Sequence, residues 1–341
     1  MRIFLALCVV ATAVTAGAQE IPAQPQPPQQ QAESIGRQVQ ELFARAAPAV
    51  VKIHAVDRHG ELSGTGFFVD PTGTLYTAYS VAAEAEDFSV EFAGQKYPAR
   101  LVLADLRSGI ALLKVDLVTP FVSPGKSDGL GVATPVVAIG YPLDLPATPS
   151  FGLVAGFDRK YLGHYFNTTH LRANVPIQRG EAGAPLLNLN GDVVGIVVSS
   201  LESNSSCYVL PIEAAEKIRD DFVRFGEARH GWIGINTEPI EKEVAGSSAR
   251  VTEVMDGTPA ADSGVQRGDI LLQVGRKEVH RPEDVIDASF FLSAGEKVPI
   301  TVMRGDQKMT FDIEADFHPA TKRAASLAPT GAIPLKLQRT P

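Results

Sequence analysis

The sequence predicts a mainly β protein: two small antiparallel barrels closed by a helix, then a separate α+β unit. Three observations carry this expectation. From Ala49 to Leu210 the apolar residues fall into short β-rich runs punctuated by Gly, Asp and Pro clusters such as Asp70-Pro71-Thr72-Gly73. A helical period takes over at Pro211 to Phe225, with Pro in the first turn and Gly226 at the end. A polar linker, Gly226 to His230, then separates this region from a new unit starting at Gly231-Trp232-Ile233-Gly234-Ile235. With 341 residues and 45% hydrophobic content there is material for two cores and for tails.

Met1-Arg2, the apolar run Ile3 to Ala16 and the small-residue site Ala16-Gly17-Ala18 read as a secretory leader, residues 1–18, cleaved after Ala18. The alternative, a retained anchor, needs a longer run than this to span a bilayer, about 20 residues, so no stable membrane insertion is expected. Leu7 before Cys8 argues against a lipidated cysteine. Once the leader is gone Cys207 is the only thiol, and no internal disulfide can form. Residues 19–33 are rich in Pro and Gln with little to bury, and read as a disordered spacer. Ser34 can cap a helix to about Ala46, with Ile35, Val39, Leu42 and Phe43 on one face and Pro48 as its stop.

The strands follow. Ala49 to Val56, Gly64 to Val69, Leu75 to Ala78, Phe88 to Phe92, Tyr97 to Leu103 and Ile110 to Val115 suit the first barrel. Pro135 to Gly140, Phe151 to Phe157, His170 to Asn174, Pro185 to Leu187, Val193 to Ser199 and Ser206 to Leu210 suit the second, so that one domain covers 34–226. The next unit, 229–316, holds further strands and a helix from Pro282 to Leu292. The tail, 317–341, mixes Pro, Ala and Thr with scattered basic residues and is expected to be disordered. A net charge of −8 leaves no broad basic field, so nucleic-acid partners are excluded.

The residues that carry a resemblance come in a fixed order. Gly64-Thr65-Gly66-Phe67-Phe68-Val69 is similar to a G-S-G-F strand, and Ser108-Gly109-Ile110-Ala111-Leu112-Leu113-Lys114-Val115 to T-D-I-A-V-L-K-V. Gly180-Glu181-Ala182-Gly183-Ala184-Pro185-Leu186 is similar to the nucleophile turn G-N-S-G-G-P-L. With the leader in front and Gly231 to Ile235 behind, the chain resembles the HtrA (DegP-type) family of exported serine proteases over roughly residues 34–316. That implies a chymotrypsin-like double β-barrel followed by one PDZ domain.

The same alignment places Ser80 (in Thr77-Ala78-Tyr79-Ser80-Val81) at the catalytic His position, Gly109 at the Asp and Ala182 at the Ser. All three triad positions are vacated, and losing such a triad costs about 10⁶-fold in kcat. No catalytic residue is assigned, and the expectation is a non-enzyme, a pseudoprotease acting as a peptide-binding scaffold. A weak or unconventional HtrA-type endopeptidase and a chaperone-like holdase are the alternatives. Glu181 reads as a solvated loop acid with no partner for a dyad. His164 and His170, six apart without Cys or paired acids, make no metal site, and neither metal nor cofactor is expected.

The resemblance further implies a peptide groove at Trp232, Ile233, Gly234 and Ile235, whose backbone N–H groups face a terminal carboxylate. Val285, Ser289 and Leu292 would wall it. Ile235 and Leu292 also admit a reading as core. The implied partners are C-terminal peptides or unfolded segments of other exported proteins, with a homo-trimer as the assembly found among relatives.

Overall fold

The structure, a computed structural model, describes residues 28–82, 85–161, 164–201 and 204–317. The leader, the spacer up to residue 27 and the tail beyond Phe317 lie outside the described residues. Helix α1 spans Pro28–Ala46. It opens ahead of Ser34, because Pro28 suits a first helical turn and the glutamines after it are good helix formers. From Gln38 onward the helix supplies Leu42 and Ala46, both buried, and Val39 and Phe43, half-buried, to the seam between the barrels, whereas Ile35 is 42% exposed.

The first barrel comprises β1 (Val50–Asp57), β2 (Gly60–Phe68), β3 (Thr74–Ala78), the one-turn helix α2 (Tyr79–Ala82), β4 (Asp87–Phe92), β5 (Gln95–Asp105) and β6 (Ile110–Lys114). It closes in the order β1-β2-β3-β6-β5-β4. The second comprises β7 (Pro135–Gly140), β8 (Thr148–Tyr161), β9 (His164–Asn174), β10 (Pro185–Leu187), β11 (Val193–Ser200) and β12 (Cys207–Pro211), closing in the order β10-β11-β12-β9-β8-β7. Helix α3 (Ile212–Phe225) follows, capped by Gly226.

Each barrel has its own core, Val51, Ile53, Phe68, Leu75 and Leu113 in the first and Val136, Val154, Leu171 and Val209 in the second. A third apolar layer joins them, with Phe67 and Tyr76 from one barrel meeting Ile139 and Ile196 from the other under α1 and α3. The two barrels therefore meet across a packed seam, which fixes their mutual geometry.

The C-terminal unit contains β13 (Gly231–Trp232), β14 (Ile235–Val244), β15 (Ser247–Val254), α4 (Pro259–Ser263), β16 (Ile270–Val274), β17 (Lys277–Glu278), α5 (Pro282–Phe290), β18 (Lys297–Arg304), β19 (Gln307–Glu314) and β20 (Asp316–Phe317). Its main sheet runs β14-β15-β16-β18-β19, so β14 has a free edge. Helix α5 ends at Phe290, two residues before the expected Leu292, because the Leu292 carbonyl turns to accept from the Gly231 N–H at 2.8 Å. Asp284 starts the helix by accepting from the Arg281 and His280 N–H groups at 2.8 and 2.9 Å.

This unit is docked on the barrels by polar contacts. Arg159 of β8 pairs with Asp284 at 2.6 Å, and Asp287 accepts from the Thr168 hydroxyl and the Thr169 N–H, each at 2.7 Å. Leu42→Ala, which empties the interbarrel seam at a fully buried position, is expected to cost about 2–5 kcal/mol, read as a lower denaturant midpoint at unchanged slope. A loss below about 1 kcal/mol would show that α1 does not hold the seam.

Candidate functional site

Thr65 is fully buried where β2 enters the seam, and it ties the second barrel's turn to the first. Its N–H donates to the Ala182 carbonyl at 2.9 Å and its hydroxyl donates to the Gly180 carbonyl at 2.7 Å. That hydroxyl also accepts from the Tyr141 N–H at 3.1 Å, and the Thr65 carbonyl accepts from the Thr77 hydroxyl at 2.8 Å. Glycine is required at two points of the turn. Gly180 has φ +97° and a Cβ there would lie 2.4 Å from the Tyr141 oxygen; Gly183 has φ +88° and a Cβ there would lie 2.2 Å from the Thr65 oxygen.

The turn's peptide planes are pinned from behind. The Arg179 carbonyl accepts from the Leu143 N–H at 2.7 Å, and the Glu181 carbonyl accepts from the Ala184 N–H at 3.0 Å. Among the described residues no cis peptide bond occurs, so the N–H of each plane points opposite its carbonyl. These are the Gly180 and Ala182 N–H groups, and among the described residues neither has a hydrogen-bond acceptor. Both residues line a cavity of about 370 Å³ with Leu62, Ser63, Ser80 and Val197 among its walls. Two convergent backbone donors of this kind can polarise a carbonyl or hold an anion.

The structure brings Ser80 and Ala182 onto this one cavity. Gly109 is not among the cavity's described lining residues: its carbonyl accepts from the Tyr79 N–H at 2.8 Å, and a Cβ there would meet Val198. Among the described residues no histidine lines the cavity; His54 lines a neighbouring one together with Glu61, Lys96 and Asp144. Burial pushes the Cys207 thiol up to about 12, helped by the nearby Glu181 charge, which makes it a poor nucleophile. Among the described residues no cluster of three or more His, Cys, Asp or Glu could hold a metal.

One residue differs from the sequence expectation, and one buried pair was not anticipated. Glu181 is not a solvated loop acid: it is 1% exposed, turned away from the cavity and lying against Gly140. One of its oxygens accepts from the Gln178 N–H at 2.7 Å, while Oε1 is buried without a partner among the described residues. Burial pushes its carboxyl above the usual carboxylate range, against the Gln178 bond. Asp105 pairs with His230 at 2.8 Å, and both are buried. Burial raises Asp105, but hydrogen bonds from His230 and Ser108 outweigh it and hold the carboxyl below its ordinary value. The sequence gives no signal for this pair, since 125 residues separate its members.

In the C-terminal unit the Ile233 carbonyl accepts from the Ala260 N–H and the Gly234 carbonyl from the Met255 N–H, each at 2.9 Å. Among the described residues no backbone carbonyl accepts from the Gly234 N–H. Trp232 is half-buried on β13, Ile233 is buried, and Ile235 is half-buried at the start of the edge strand β14. Val285 and Leu292 are buried in the domain core, and the Ser289 hydroxyl donates to the Val285 carbonyl at 2.7 Å. The exposed apolar residue on α5 is Ile286, at 41%, which helical spacing alone did not single out.

Paired six-stranded barrels with a donor-lined turn between them, followed by an edge-strand α+β unit, define a chymotrypsin-like fold carrying a PDZ domain. A trypsin-like peptidase domain model matches residues 64–196, and a PDZ domain model matches residues 231–315. The chain is 28% identical over 317 residues to a probable periplasmic serine endoprotease, DegP-like, of Pseudomonas fluorescens, covering 88% of this chain and 66% of that one. It is 30% identical over 255 residues to the protein of the same description from Chlamydia pneumoniae, covering 71% of this chain and 52% of the relative. Among solved structures, the HtrA-type protease AlgW with tripeptide superposes with TM-score 0.70 at 24% identity, covering 82% of this chain and 97% of that one. The serine endoprotease from Yersinia pestis gives 0.61 at 26%, covering 82% and 98%.

The chain belongs to the HtrA (DegP-type) family. It spans 52–66% of the length of the two curated relatives described. The expectation that it is not an enzyme is corrected by these relatives, which are named serine endoproteases.

The buried acid gives a pH test. A carboxyl whose folded pKa is raised favours the fold at acid pH, and that favour is lost as pH rises through the unfolded and then the folded value. Glu181→Gln, neutral throughout, is therefore expected to gain melting temperature relative to the parent between about pH 4 and pH 8, with the two closest at the acid end. A difference that does not change with pH would show that Glu181 is solvated in the folded protein.

Proposed function

We propose that this chain is an exported HtrA-type endopeptidase of weak and unconventional activity, which binds an extended polypeptide in the interbarrel cleft and takes up polypeptide C-termini through its PDZ domain. The observation that carries the reading is the pair of pinned N–H groups of Gly180 and Ala182 on a cavity large enough for a short segment. Two such donors stabilise the oxyanion that develops when a peptide carbonyl is attacked.

With a methyl group at 182 and Ser80 and Gly109 in the other triad positions, the attacking atom is a water oxygen. It adds to the acyl carbon, the C–N bond breaks, and carboxylate and ammonium products form. No imidazole or carboxylate among the described lining residues assists the proton transfer. The rate is then what binding and the two donors supply, about 10³–10⁴-fold above the uncatalysed reaction. Export is supported by the leader pattern at residues 1–18 and by relatives named periplasmic. No described helix is long and apolar enough to cross a membrane.

On prolonged incubation with an unstructured polypeptide, mass spectrometry is expected to show slow cleavage that Ala182→Leu abolishes by filling the cleft, and no labelling by a fluorophosphonate. Cleavage indistinguishable from buffer, or unchanged in Ala182→Leu, would sink this reading.

For the PDZ domain, the free edge of β14 can add a peptide strand, with the terminal carboxylate on the N–H groups of Trp232 to Gly234. A neighbour solved with a tripeptide supports peptide recognition in this fold. Fluorescence polarisation on the full chain carrying Ala182→Leu is expected to show about tenfold weaker binding of amidated than of free peptides, from the lost charge-assisted contact. Gly234→Val is expected to be as damaging, since its Cβ falls 2.4 Å from Thr258 Cβ. Equal affinity for the two peptide forms would remove the carboxylate site.

A further inference from the structure

The cleft has an electrostatic character that peptide-bond hydrolysis does not need. Among its described lining residues the only charged side chain is Arg179, and the rest are apolar, small or neutral polar. The nearest acid in sequence, Glu181, is swung to the far side of the turn and held there by the Gln178 N–H. Asp105, at the base of the loop that carries Gly109, is engaged with His230 and Ser108. The vacated triad positions contribute no carboxylate. The lining residues include the two with unpartnered backbone donors, Arg179 and four serines, with the largely buried Ile177, Val81 and Val197 behind them.

We infer that the interbarrel cleft is a binding site for the free C-terminal carboxylate of a peptide, with the Gly180 and Ala182 N–H groups on its oxygens and the Arg179 charge beside it. An internal peptide carbonyl offers these donors one neutral oxygen. A terminal carboxylate offers two oxygens and a full charge, and hydrogen bonds to a charged acceptor are about twice as strong as neutral ones. The site is built rather than incidental, because the carbonyl behind each donor is already bonded, to Leu143 and to Ala184, so no backbone rearrangement accompanies binding. The methyl of Ala182 leaves no hydroxyl competing for the same donors. A small aliphatic last side chain fits the wall of Ile177, Val81 and Val197, which sets a free peptide end apart from a simple acid such as acetate.

The inference deepens the proposed use of the same cleft, and its test is chosen so that it stands or falls without turnover. The full chain, carrying Gly234→Val to disable the PDZ loop, is labelled with ¹⁵N-glycine and ¹⁵N-alanine and titrated with acetyl-Ala-Ala-Val, with its C-terminal amide, and with sodium acetate. The free acid is expected to move the Gly180 and Ala182 amide resonances downfield and saturably. The amide and acetate should each need at least about tenfold higher concentration. Arg179→Gln should weaken the free acid by about tenfold and leave the amide unchanged.

Three results would overturn the inference: no movement of those two resonances, equal response to acid and amide, or equal response to acetate, which would make the cleft a general anion site. Absence of cleavage together with a saturable acid-specific shift would refute the hydrolytic reading and leave the carboxylate site in place. Cleavage without the shift would do the reverse.

Discussion

The planarity of the peptide bond is the constraint on which the functional surfaces of this molecule depend. A trans peptide fixes its N–H opposite its carbonyl, so a bond to the carbonyl aims the donor. In the interbarrel turn the Arg179 and Glu181 carbonyls are bonded, and the Gly180 and Ala182 N–H groups are left over. In the PDZ loop the Ile233 carbonyl is bonded to Ala260, and the Gly234 N–H is left over. The same device therefore occurs in two domains of unrelated topology, and it uses no side chain at the point of binding.

That device needs a rigid support, which the packing supplies. Thr65 reaches from the first barrel to hold two carbonyls of the second barrel's turn, and being fully buried it exchanges these bonds with no water. The seam of Phe67, Tyr76, Ile139 and Ile196 keeps the barrels from sliding. Farther out, the pairs Asp105–His230 and Arg159–Asp284 fix the PDZ domain against both barrels. Buried pairs of this type add little net stability over apolar packing, yet removing one partner leaves an uncompensated charge. Their role is to set one orientation.

Much of this was legible in the sequence, and for a physical reason. Strands alternate or run apolar between Gly, Asp and Pro, so twelve barrel strands and the closing helix could be placed from period and punctuation. The turn could be placed from its likeness to the family's nucleophile turn, and in the structure its Gly180 and Gly183 stand where only glycine fits. What was not legible depends on tertiary contact. Glu181 read as an exposed loop acid because loop sequence says nothing of which way a side chain turns; the space against Gly140 that receives it comes from β7. Val285 and Leu292 have the spacing of a groove wall, but their burial is decided by how α5 sits on its sheet. The reading of the chain as a non-enzyme rested on three residue identities, and three side-chain replacements do not remove the backbone donors.

Those donors bear on how the cleft divides its binding energy. A site accelerates a reaction only through contacts stronger in the transition state than in the ground state. With a hydroxyl and imidazole in place, the donors act on the tetrahedral oxyanion that the nucleophile generates. With Ala182 and Ser80 lining the cavity, the proposed route has that oxyanion form when water attacks unaided, while the donors and Arg179 remain available to whatever oxygen rests against them. A terminal carboxylate satisfies them fully in its ground state. Under the proposed function, the geometry offered for slow hydrolysis thus favours the product's acid end over the substrate's internal carbonyl, and turnover would be held back at release as well as at attack.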